Sequence, residues 1–190
     1  MKKLALLFIL CAAIGCSDKK DTNEQYANYR IDFLNRDLNI PKNFLAMRFD
    51  HYKSLILENY EDSVFVANKI SNINRFVHNF EDYVMFVDKN NIENLVTIVP
   101  MQNSKPNDFM AKMLGRELHA DMKKKGEEQG YVYKAMQNRL INKWLIKVKG
   151  EKEYKDFGFS IYQTSYMASD FAAFVFNRDS DLDFEEVFTE

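Results

Sequence analysis

The 190-residue chain holds two cysteines, Cys11 and Cys16, and both fall in its first sixteen positions. Beyond them no disulfide framework, nucleophilic thiol or cysteine-bearing metal site can be built. The three histidines, His51, His78 and His119, lie far apart, and none stands in HExxH or another close ligand pair. Six glycines and three prolines leave little material for phosphate-cradling loops, and GxxxxGK[ST], GxGxxG and GxSxG are all absent. Carboxylates are plentiful, but no pair is singled out by spacing. These absences point to a non-enzymatic protein with no cofactor and no metal. The one long apolar run, Leu4 to Ile14, is shorter than the ~20 residues that cross a bilayer, and no second run follows it. A formal net charge of −2 gives no electrostatic ground for binding nucleic acid.

What is present is apolar bulk. Hydrophobic residues make up 46% of the chain, including 16 Phe and 10 Tyr, enough for one domain held by packing alone.

Lys2 and Lys3 precede the apolar run in the order of a secretory signal. Of the two candidate processing points, Cys11 follows the bulky Leu10, whereas Cys16 follows Ala13-Ile14-Gly15. Ile14-Gly15-Cys16 resembles the lipobox of bacterial lipoproteins; Ala13 departs from that pattern, which usually has leucine there. The resemblance implies a signal peptide over 1–15 and acylation of Cys16, whose thiolate can be alkylated to a stable thioether. Two or three acyl chains, at ~0.8 kcal/mol per buried CH₂, anchor effectively permanently. Ser17 stands where the enterobacterial inner-membrane retention signal has Asp, which favours the outer membrane. SDKKD is similar to the tract after the cysteine in surface-exported lipoproteins of Bacteroidota, so both a periplasmic and a surface-facing domain stay open.

Residues 16–26 are polar and read as a flexible tether, followed by a single domain over 27–190. YRIDFLNRDLNIPKNF suggests one or two opening strands and a turn at Pro41. FLAMRFDHYKSLILENY is ambiguous between strand and helix. Val66, Ile70, Ile73, Val77 and Phe80 recur at helical spacing behind the N-cap candidates Asp62 and Ser63. DYVMFVDKNNIENLVTIVPM predicts a hairpin around DKNN. A second helix is expected from Asn107 or Asp108, through Phe109, Met113, Leu114, Leu118 and Met122, with KKKGEEQG as its solvated exit. After Gly130 the period changes to two: YVYKAM, NKWLIKVKG, FGFSIYQTSYM and DFAAFVFN predict a meander. DFAAFVFN, apolar on both faces, belongs at the centre of the sheet. The expected fold is α+β: an antiparallel sheet, with a β-meander in its C-terminal half, covered by two or three helices.

This order, carried by NIPKNF, by the long helix entering the meander and by FAAFVFNRDSDLDFEEVF, resembles the PsbP-like α+β fold. The resemblance implies a small binding or assembly-assisting domain.

Three stretches carry candidate sites. Asp179, Asp181, Asp183 and Glu190 have the oxygen-ligand spacing of an EF-hand loop, but Phe184 stands where glycine is needed. The simpler reading is a helix start, with Ser180 or Asp181 as cap and Asp183, Glu185 and Glu186 favouring the positive end. Lys123-Lys124-Lys125 is followed at once by Glu127 and Glu128, as on a solvated helix end. The meander concentrates Tyr131, Tyr133, Trp144, Tyr154, Phe157, Phe159, Tyr162 and Tyr166, mostly as core. Among these, Trp144, Tyr154, Tyr162 and Tyr166 are candidates for an exposed ligand or partner groove. Together the sequence reads as an outer-membrane lipoprotein, held in the membrane by its N-terminal lipid, that binds an envelope protein or assists assembly of an envelope complex. The alternative is a small apolar or envelope-derived ligand held between sheet and helix.

Overall fold

A computed structural model of the chain describes residues 25–101, 108–140 and 143–189. The expected signal peptide, Cys16 and nearly all of the tether lie outside these residues.

The fold is α+β. Seven antiparallel strands form one sheet, in the order β3-β4-β5-β9-β8-β7-β6, and β1 (Tyr26–Ile31) and β2 (Arg36–Pro41) form a separate hairpin. The sheet strands are β3 (Phe44–Met47), β4 (Val84–Asp88), β5 (Asn91–Pro100), β6 (Val132–Leu140), β7 (Lys143–Tyr154), β8 (Phe159–Met167) and β9 (Phe171–Arg178). Strands β6 to β9 are the meander expected from the period-two stretch. β9 is the central strand, with β5 on one side and β8 on the other. Its run FAAFVF meets apolar side chains on both faces, which fixes that position.

One face packs beneath the β1–β2 hairpin and the short C-terminal helix α4 (Glu185–Thr189). Phe44, Phe86, Val96, Ile98, Val175 and Phe184 form the centre of that core. On the other face, α1 (Phe49–Asn59) and α2 (Ser63–Val77) set Tyr52, Ile56, Val66, Ile73 and Val77 against Met85, Val87 and Leu95. The helical stripe read from Val66 to Val77 is thus the buried one, whereas Phe80 lies past the helix end. The Asp62 carboxylate accepts the Val64 N–H at 2.9 Å and is the cap. The ambiguous stretch after Asn43 divides: Phe44–Met47 is strand and Phe49–Asn59 is helix.

The third helix, α3 (Asp108–Gln129), packs on β6 and β7. It runs through KKKGEEQ, which was expected to be its solvated exit, and stops at Gly130, whose φ of +78° suits the residue after a helix. Gly126 is buried in its last turns because a Cβ there would stand 2.5 Å from the Tyr131 carbonyl oxygen and collide with the Tyr133 ring. That close approach holds the helix end against the sheet.

Candidate functional site

Two clusters of buried charge serve the fold. On the hairpin face, Lys147 is 5% exposed and donates to Asp183 and to Glu185 (3.0 Å). Burial works against the Lys147 ammonium, but the two carboxylates outweigh it and raise its pKa. Burial likewise works against the Asp183 carboxylate, and its bonds from Lys147 and Tyr166 outweigh that and lower its pKa. The Tyr166 hydroxyl donates to Asp183 at 2.6 Å and accepts the Phe184 N–H at 2.9 Å. Asp183 also accepts the Glu185 N–H at 2.9 Å, so it, rather than Ser180 or Asp181, caps α4. The cluster latches the C-terminal segment to the sheet.

On the opposite face Glu93, buried on β5, accepts from Tyr60 (2.6 Å) and from Arg178 (2.9 Å). Lys69 of α2 stands near both charges, and desolvation brings its pKa down to about 8. Burial, with the neighbouring carboxylate, pushes the Tyr60 hydroxyl up. Every acid and base in this cluster is engaged within the protein.

The four aromatic groove candidates do not form one surface. Tyr166 is fully buried and belongs to the latch, because its hydroxyl finds a carboxylate and a backbone N–H beneath α4. Tyr162 shares that face, where the Lys149 ammonium lies 5.6 Å from its ring centre. Tyr154, paired with Phe159 across β7 and β8, projects from the other face and stacks on the Phe159 ring at 4.8 Å. Trp144 is half-buried beside Arg36, Asp170 and Phe171 at the far end of β7. The acidic residues of the tail separate as well. Asp179 accepts the Ser160 N–H, Asp181 binds Lys149 and Asp183 binds Lys147. Among the described residues no group of three metal-ligating side chains comes together.

What the structure does assemble is a groove of about 400 Å³ between α3 and strands β6 and β7. Gly115, Ala135 and Ile146 form its apolar floor, and Lys112, Arg116 and His119 its wall. These three side chains recur at i, i+4 and i+7 and so share one stripe of α3. Lys112 and Arg116 are exposed and make no ion pair with a described residue. The His119 Nδ1 is shielded from water yet has no hydrogen-bond partner among the described residues, a condition that few buried polar atoms tolerate. By contrast His51 and His78 are exposed on α1 and beyond the end of α2. The groove escaped the sequence reading, although the spacing of Lys112, Arg116 and His119 was legible.

The groove also touches Met136. Ala135 and Met136 are adjacent on β6 and point to opposite faces. β6 is the outermost strand of the sheet, so the groove lies beside a sheet edge. No described strand pairs with that edge.

No protein-family model matches the chain, and no curated protein matches it.

Proposed function

We propose that the chain is a non-enzymatic outer-membrane lipoprotein whose domain, tethered through acylated Cys16, binds a protein partner of the envelope. The observation that carries the binding reading is the unequal treatment of the two sheet edges. β3 is four residues long, the usual way a protein blunts an edge, whereas β6 offers nine residues in unbroken register with β7. The exposed side chains on β6 include Val132 (68%) and Met136 (49%). Long edges with exposed apolar residues are recognition surfaces in proteins that bind by strand addition. The non-enzymatic reading draws support from the buried ionisable groups, since Glu93 and Lys147 are each held by internal partners.

Two measurements test this reading. Cys16→Ser abolishes labelling by a fatty-acid analogue and releases the domain from the membrane; an unlabelled, membrane-bound wild type refutes the anchor. Purification from crosslinked membranes then recovers a specific envelope partner, and its absence counts against the binding reading.

The groove of about 400 Å³ between helix and sheet favours a second reading, in which it holds a small envelope-derived ligand. Its size falls within the usual range for such sites.

A further inference from the structure

The binding reading leaves open which surface acts and what kind of partner it takes. Resting on that reading, we infer that β6 docks an extended acidic segment of the partner, which adds to the sheet as an eighth strand and sets carboxylates on Lys112, Arg116 and His119. The backbone supplies the first half of the site. An added strand lies about 4.8 Å beyond β6 and takes up its outward N–H and C=O groups. Side chains of the added strand alternate between faces. On the α3 side they enter the groove, where Lys112 and Arg116 make no ion pair with a described residue and His119 lines the wall. On the other side they lie beside Val132 and Met136, which favour apolar residues, with the exposed Lys134 between them.

Charge selects the occupant. The chain as a whole is mildly acidic, yet the stripe flanking β6 is cationic, and Lys123 extends it by a further turn of α3. Lys112 and Arg116 gain little from one another and repel any basic segment. A carboxylate relieves that repulsion. The expected partner segment alternates acidic and apolar residues over roughly the length of β6.

The test uses the full-length, membrane-anchored chain. A photo-crosslinking residue is placed at Met136 on β6 and, in a separate chain, at Leu45 on β3. The expected result is an adduct at position 136, mapped by mass spectrometry to a segment with acidic residues at alternate positions. That adduct falls at least tenfold in the double variant Lys112→Glu, Arg116→Glu, both exposed positions whose change spares the fold. An adduct that survives the charge reversal, or a segment without alternating acids, overturns the inference. Adducts at position 45 alone overturn it while leaving the partner reading standing; none at either position refutes both. As a second measurement, a peptide of four Val-Glu repeats slows hydrogen exchange of Val132 to Met136 at least tenfold in the detergent-solubilised chain. Lack of protection there, with displacement of an anionic fluorophore from the groove by decanoate, overturns strand addition and assigns the groove to a small amphiphile.

Discussion

Replacing Tyr166 with Phe removes one oxygen atom and leaves the ring, so no cavity forms and the effect isolates the hydroxyl. That oxygen makes two hydrogen bonds, one given to Asp183 and one accepted from the Phe184 N–H. A bond to an ionised acceptor is worth about 1.5–3 kcal/mol, and a buried backbone donor left unpaired costs about 1–3 kcal/mol. Asp183 is half-exposed, so water replaces part of the first contribution, while the buried Phe184 N–H has no such relief. The expected loss is therefore about 2–3 kcal/mol, which for a domain of this size lowers Tm by about 5–10 °C. Urea melts followed by tryptophan fluorescence at neutral pH measure it, with the slope unchanged if only the folded state is affected. Tyr162→Phe is the control, because its ring keeps the contact with Lys149 and its hydroxyl has no hydrogen-bond partner among the described residues; a change within about 0.5 kcal/mol is expected there. If Tyr166→Phe melts within about 2 °C of the wild type, the hydroxyl does not join the C-terminal segment to the sheet.

Three further outcomes follow from the packing and the charges. In Gly150→Ala the new Cβ runs into the Tyr133 ring, which stands over that glycine; the expected cost is about 1–3 kcal/mol in urea, and much of it disappears when Tyr133→Ala is combined with it. Lys69 has its pKa lowered from 10.5 to about 8 by desolvation, so the unfolded chain binds more protons across that interval. Its contribution to stability rises with pH from about 8 to 10.5, and the gap between wild type and Lys69→Met in urea midpoint shrinks over the same range. Asp183 titrates below its ordinary 3.8 despite its burial, because Lys147 and Tyr166 bind the carboxylate. Its stabilisation is present above 3.8 and disappears as pH falls through the folded value, so the deficit of Asp183→Asn at neutral pH vanishes in strong acid.

Local chemistry made much of this architecture legible. The apolar two-sidedness of DFAAFVFN placed β9 at the centre, DKNN marked the β4–β5 turn, and Asp62 announced α2. Chain order alone does not say which strand ends at an edge. β6 is an edge because β7 pairs with β8 on its other side, a choice made by contacts distant in sequence. The same holds for Tyr166, whose alternation with Tyr162 is readable but whose partner Asp183 lies 17 residues further on. The stretch KKKGEEQG read as a solvated exit from its charge, yet at Gly126 the ring of Tyr133 fills the space the missing side chain leaves. The cationic stripe on α3 was present in the spacing, but lysine and arginine at helical intervals ordinarily mark a solvated face. Only the groove behind them gives that stripe a second use.

The β1–β2 hairpin acquires a mechanical meaning when the chain is held at its N-terminal end. Tension on residue 25 enters β1 at Tyr26, beside Pro41 at the open end of the hairpin. The ladder then opens one rung after another, as a zipper does, while the seven-stranded sheet behind it bears no shear. A load between that end and β6 therefore reaches the hairpin first. Peeling it away uncovers Phe86, Val96 and Ile98 while β6 and its groove stay in register, so the hairpin yields before the far edge of the sheet does.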